Sequence, residues 1–343
     1  MRFSLIRLAA LLPLAACATP TSTSAPTVEP EAVLVEAQPV PLDPADPTRE
    51  QVGALRWRGG LVLTSADKRF GGLSGMRWDA GRLVLVSDEG DAWSIQPREA
   101  HGRLIGVGDA RVRRLNGADG RPLPRIKELS DAESIELVSD PACRGTCPAT
   151  HAIVSLETDS SLWRYRMIGG LPGGIPEALT EGAAWRARQS RTNGGVEAHA
   201  AGPGFRLMVS EEMREADGGA SALLVTEAGE QRLSLRLGGV FVPTDLVLLD
   251  ASAHRFLLLQ RNYAKGRGTW TRTARFALAR GGDGHWSVGP VETLATSGPP
   301  FTSDNMEGLA IRREGRRTML YMISDDNFSK TQRTLLMKWE LVG

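Results

Sequence analysis

One pattern recurs five times along this chain and limits what it can fold into: a hairpin of two short apolar runs that opens and closes on polar, mostly acidic residues. The last copy is the clearest. Asp304, Asn305, Met306, Glu307, Gly308, Leu309 and Ala310 lead through the turn-like Arg313, Glu314 and Gly315 to Tyr321, Met322, Ile323, Ser324, Asp325, Asp326 and Asn327. Runs of about this length, bounded by such turns, read as paired strands. Upstream, Leu73 to Met76 precede Leu83 to Val86, which run into Ser87, Asp88 and Glu89. Asp131 to Ile135 precede Ala152 to Glu157, and Gly194 to Glu197 precede Leu207 to Glu212. A weaker copy places Pro243 to Leu246 before Phe256 to Arg261.

The openings at Ser74, Glu133, Glu197, Asp245 and Glu307 lie 48 to 64 residues apart. That period is loose and longer than the roughly 40 to 50 residues of common propeller blades, but the order of parts is constant. Each unit is a hairpin followed by room for two more strands, the make-up of a four-stranded blade. Gly 38 and Pro 20 interrupt nearly every window long enough for a helix. The expected fold is therefore all-β, a β-propeller of five or six four-stranded blades. Ring closure is expected by pairing Leu335–Leu341 with strands between Ala54 and Thr64.

The N-terminus reads as a targeting device. Met1, Arg2 and Arg7 precede an apolar run, and Leu14, Ala15, Ala16 and Cys17 resemble the bacterial lipobox. Residues 1–16 are expected to be a signal peptide and Cys17 the lipidated first mature residue; several acyl chains together anchor stably. Ala18 follows the cysteine, where aspartate would favour inner-membrane retention in many Gram-negative bacteria. The expectation is an outer-membrane lipoprotein facing the periplasm. Residues 17–51, rich in Pro, Thr, Ser, Ala and Glu, read as an extended tether, and 52–343 as the folded domain. Cys143 and Cys147 in an exported chain are expected to form a local disulfide; no second ligand pair stands at zinc spacing. Lys+Arg 41 against Asp+Glu 40 gives no reason to expect a nucleic-acid partner.

Radial repetition turns serial carboxylates into a ring at one end of a central channel. Glu133, Glu197, Asp245 and Glu307 occupy one part of the unit, and Asp88, Glu157, Glu211 and Asp325 with its neighbour Asp326 the other. Like charges converging in a funnel raise one another's pKa unless a cation neutralises them. The five histidines are scattered, so oxygen-preferring calcium or magnesium suits such a site better than zinc or copper. Acidic residues at strand ends also cap turns, so each carboxylate has a structural alternative. Ser87, Ser155, Ser210 and Ser324 recur just before the closing acids and read as strand-end packing residues. Arg69, Arg191, Arg261 and Lys330 flank the repeated units and are candidates to hold phosphate oxygens. Ser74 lacks the glycine pattern of a serine-esterase elbow, and no P-loop or dinucleotide fingerprint appears.

The segments FGGLSGM with LVLVSDEG, DAESIEL with IVSLE, NGGVEAHA with LMVSEE, PTDL with LLLQR, and DNMEGLAI with YMISDDNFSKTQRTLLMKWEL resemble the phytase-like family, also described as esterase-like activity of phytase. The resemblance runs in order from about Val52 to Gly343. It implies a β-propeller and phosphomonoester or ester hydrolysis, with calcium bound in an acidic channel face. Glu133, Glu197, Glu307, Asp325 and Asp326 fall on its acidic motif positions; Ser74 and Arg261 stand where the repeat has acids in other units. The expected function is a lipid-anchored, calcium-dependent hydrolase of small-molecule phosphate esters. Glu307, Asp325 and Asp326 are its catalytic candidates, and Glu133, Glu197, Glu307, Asp325 and Asp88 its metal ligands. The alternatives are a non-catalytic propeller that binds an envelope partner or glycan, and a metal-dependent lactonase or esterase.

Overall fold

The computed structural model describes residues 29–140, 142–143, 147–157, 160–189 and 195–342. Five four-stranded antiparallel blades form a β-propeller. Blade 1 comprises Leu73–Asp79, Arg82–Ser87, Asp91–Ala100 and Arg103–Arg114. Blade 2 runs through Ala132–Ser139, Ala149–Leu156, Ser161–Ile168 and Leu171–Leu179, and blade 3 through Val196–Gly202, Phe205–Arg214, Ala220–Thr226 and Gly229–Leu235. Blade 4 is built from Val242–Asp250, Arg255–Ala264, Gly268–Arg280 and Glu292–Ser297, with Trp286–Val288 pairing the far end of its third strand. Blade 5 takes Met306–Glu314, Arg317–Ser324 and Thr334–Leu341 from one end of the chain and Leu55–Thr64 from the other.

That last pairing is the expected closure. Leu336 stands opposite Leu61 and Leu341 opposite Leu55, so the ring is fastened by residues nearly 300 positions apart in sequence. The first strand of each blade lies next to the first strands of its two neighbours, which closes a ring of five around the axis. The core sits between blades, where apolar faces meet: Leu83, Leu85 and Trp93 of blade 1 pack with Tyr321, Ile323 and Leu336 of blade 5. The joint is also ionic, since wholly buried Lys338 reaches Glu99 of blade 1 at 2.8 Å and Glu314 at 3.1 Å.

The tether is shorter than the sequence indicated. Glu31–Val33 pairs with the outer strand of blade 1, Ala32 opposite Arg111, and Glu36–Val40 pairs with the outer strand of blade 5, Ala37 opposite Leu63. This strap straddles the closing joint, with Val35 and Leu42 buried beneath it. Its alternation is too brief and too broken by proline to show as periodicity, and Pro39 is tolerated because the strand lies on an edge. Cys143 and Cys147 are disulfide-bonded, as expected. Cys17 and Arg191 lie outside the described residues.

Candidate functional site: an acidic cup at one channel mouth

The site is made by a local irregularity repeated in every blade. The first strand of each blade carries one extra residue relative to its partner, between Leu73 and Met76, Ala132 and Ser134, Val196 and Ala198, Pro243 and Asp245, and Met306 and Gly308. A bulge leaves the extra residue out of the ladder and re-aims its side chain. In blades 2, 3 and 5 that residue is Glu133, Glu197 and Glu307, all of which line a cup of about 330 Å³. Blade 1 contributes Ser74 there, and blade 4 has Thr244 at the bulge. In blade 5 the following position must be small because the strands approach closely: a Cβ on Gly308 would lie 2.6 Å from the Ser74 carbonyl oxygen.

The second strands supply the rest. Ser87, Ser155, Ser210 and Ser324 are buried and tie down the chain at the strand ends. Ser324 Oγ, for example, donates to the Arg333 carbonyl at 2.6 Å and accepts from Leu335 N at 2.7 Å. Asp88, Glu211 and Asp325, next after their serines, and Glu157, two residues after Ser155, enter the cup. In blade 4, Gln260 and Arg261 take these places. Arg261 Nη2 lies 2.9 Å from Glu211, its Nη1 3.3 Å from Asn305 Oδ1, and its Nε 3.7 Å from Glu307. Asn305 Nδ2 in turn donates to Glu307 at 2.7 Å.

Among the described residues, eight carboxylates face two cations, Arg261 and Lys127, across this cup. Lys127 stands 3.2 Å from Asp88 and 3.6 Å from Asp131. Burial, then the charges of Glu307 and Asp88, push Asp325 up to about 9. Burial likewise pushes Asp131 up to about 7, and burial with neighbouring carboxylates holds Glu133 and Glu197 well above the usual range. The strain predicts a pH dependence for the metal-free protein. Groups whose folded pKa is raised stabilise the fold fully only below their unfolded value, and that stability is lost as pH rises through the folded values. The melting temperature without metal should fall by roughly 5 °C or more between about pH 5 and about pH 8 and much less with calcium. A flat metal-free profile would mean that the charge is compensated within the protein.

The donor set fits a hard cation. Asp131, Glu133 and Glu157 each offer an oxygen within 4.8 Å of the others, and among the described residues no histidine or cysteine lines the cup. Asp88 and Asp131 are buried, and each has one carboxylate oxygen without a hydrogen-bond partner. An acceptor left so is costly unless a cation or water meets it.

All five expected metal ligands, Asp88, Glu133, Glu197, Glu307 and Asp325, line the cup. Other candidates are placed differently. Asp245 sits one residue past the bulge and lies deeper in the channel, on Arg77. Asp326 builds the turn beside the cup: it accepts from Gly72 N at 3.0 Å, Phe328 N at 3.1 Å and Thr334 Oγ1 at 2.9 Å. Arg69 is bound to Asp67 at 2.7 Å and Glu31 at 2.9 Å, and Lys330 is exposed; neither lines the cup. Arg261 does. Sequence reasoning missed Asp131 and Lys127, although Asp131 stands two residues before the bulged Glu133.

Beneath the cup, Arg77 fills the axis and touches every blade. Its guanidinium donates to Glu136 of blade 2 at 2.8 Å, the His199 carbonyl of blade 3 at 2.7 Å and Asp245 of blade 4 at 2.9 Å. It also donates to the Leu309 carbonyl of blade 5 at 3.1 Å and to its own neighbour Met76 at 2.7 Å.

A propeller with a carboxylate cup at one mouth fits the scaffold of a phytase-like hydrolase. The family model described as "Phytase-like: Esterase-like activity of phytase" matches residues 68–328, and the chain belongs to that family. No curated protein matches the chain. Similar solved structures include a chain of a nidogen/laminin complex, at 10% identity over 88% of this chain and 97% of that one, TM-score 0.40. The Swd1 β-propeller domain of Myceliophteria thermophila is similar at 8% identity over 90% and 100%, TM-score 0.41. The catalytic domain of a Coprinopsis cinerea GH62 α-L-arabinofuranosidase is similar at 10% over 85% and 99%, TM-score 0.41. At these TM-scores the likenesses carry no argument about the chemistry.

Proposed function

We propose that the cup hydrolyses phosphate monoesters with the help of bound calcium. The observation that supports this most is the concentration, among the described residues, of eight carboxylates around a space of about 330 Å³, with Asp88 and the adjacent Asp131 each keeping a buried, unpartnered oxygen. Asp131, Glu133 and Glu157 would hold one cation, with Asp88, Glu197 and Asp325 completing the oxygen field. Bound calcium would polarise phosphoryl oxygens and offset the carboxylate charge. Arg261, anchored between Glu211 and Glu307, keeps a positive charge in the wall of the cup beside the reacting phosphate. Glu307, oriented by Asn305, would take the proton of the attacking water as its oxygen bonds to phosphorus, and Asp325 would give a proton to the leaving ester oxygen as its bond to phosphorus breaks. We also propose export and lipid anchoring through Cys17.

The test is phosphate release from an aryl phosphate and from inositol hexakisphosphate, with calcium and with chelator, beside an aryl carboxylic ester as control. Calcium-dependent phosphate release supports the reading. Turnover of the carboxylic ester alone would move the activity to the esterase side of the family description, and no turnover with either would leave a binding propeller.

A further inference from the structure

A second cleft, of about 780 Å³, opens beside the cup and shares Arg261 and Asn327 with it. We infer that this cleft binds the body of the substrate, and that the body is a neutral polyhydroxylated ring, a sugar or similar polyol, bearing a single reacting ester. The inference rests on the reading of the cup as the reacting end and names what is attached to the group that reacts.

The cleft's charges are already used. Arg333 Nε lies 3.3 Å from Asp304, and its Nη2 donates to the Ser303 carbonyl at 3.0 Å. Arg261 is committed to Glu211 and Glu307. A body carrying several phosphates needs uncompensated guanidinium or ammonium groups at each of them. Here it would find paired arginines and, next door, eight carboxylates.

What remains unused is neutral. The side chains of Thr269, Asn327 and Gln332 and the Tyr263 hydroxyl line the cleft without a hydrogen-bond partner among the described residues. An amide offers donors and an acceptor side by side, the complement of adjacent hydroxyls, and a threonine or tyrosine hydroxyl can act as either. Tyr263 is 68% exposed, the most exposed aromatic side chain among the large hydrophobics at the surface, and gives one broad face against which the C–H face of a ring can pack. A concave site with a few placed polar groups and one aromatic wall is how small neutral ligands are oriented. The shared Arg261 and Asn327 put this ligand beside the reacting group.

The test uses binding, so that it does not depend on turnover. Maltose, cellobiose, N,N′-diacetylchitobiose and inositol hexakisphosphate are titrated calorimetrically into the calcium-loaded full chain and its Tyr263→Ala and Gln332→Ala variants. At least one disaccharide should bind, weakened about tenfold by Tyr263→Ala or Gln332→Ala. Absence of binding by all three disaccharides, or hexakisphosphate binding that Tyr263→Ala weakens, overturns the inference. Disaccharide binding without any ester turnover would leave this site standing while the phosphatase reading falls; phosphatase activity without disaccharide binding does the reverse.

Discussion

On the proposed reading, Glu307→Gln should remove calcium-dependent turnover, with an expected loss of about a thousandfold in kcat, because the substitution keeps the shape of the side chain and removes its ability to accept a proton. The Asn305 contact at 2.7 Å fixes where that carboxylate points. The metal-free fold should not suffer. Burial raises the pKa of Glu307 despite the Arg261 charge, so the glutamine relieves a crowded site, and the melting temperature in chelator should hold or rise. Phosphate release and a thermal melt on the same sample decide it. Turnover within about threefold of the parent would take Glu307 out of the chemistry, and unfolding would assign it to the scaffold.

The second large effect is on stability. Arg77→Met should cost about 3 to 5 kcal/mol, since it leaves Glu136 and Asp245 in the channel without their cation and several inner-strand carbonyls without a donor. Asp245 is wholly buried, and burial pushes it up to about 6 even with Arg77 beside it. It also accepts from the backbone of Leu246 and Leu309, both at 2.7 Å, so blade 4 is held to blade 5 through the same carboxylate. Urea denaturation gives the number. Adding Asp245→Asn should recover part of the loss, because it removes the orphaned charge; a loss below about 1 kcal/mol for Arg77→Met alone would show that water reaches the channel and solvates both acids.

The repeat was legible because a propeller converts sequence order into angular order. Five hairpins with acids at corresponding places could only converge, and Glu133, Glu197, Glu307, Asp88 and Asp325 do so. The pairing of the chain ends was legible for a related reason, since LLMKWEL had no partner nearby in sequence. What failed was register. Asp245 looks like the opening acid of its unit, but the bulge falls on Thr244, and one position changes the direction of a strand side chain. Asp326 and Asp325 are the same residue type side by side; only the turn geometry shows that Asp326 serves Gly72, Phe328 and Thr334. Arg69 was too local a guess, for it meets Glu31 in a segment that composition had assigned to the tether. Arg77 gave no signal, because a single arginine in an apolar strand shows nothing of the five strands around it.

The guanidinium on the propeller axis makes the acidic cup a cul-de-sac. Past Arg77 lies another space of about 300 Å³ with Trp78, Val247 and Ile311 on its wall, facing the opposite side of the disc. Among the described residues, that side chain stands between the two spaces. On the proposed reading, an alcohol and a phosphate formed in the cup would leave on the same side of Arg77 as the next substrate enters.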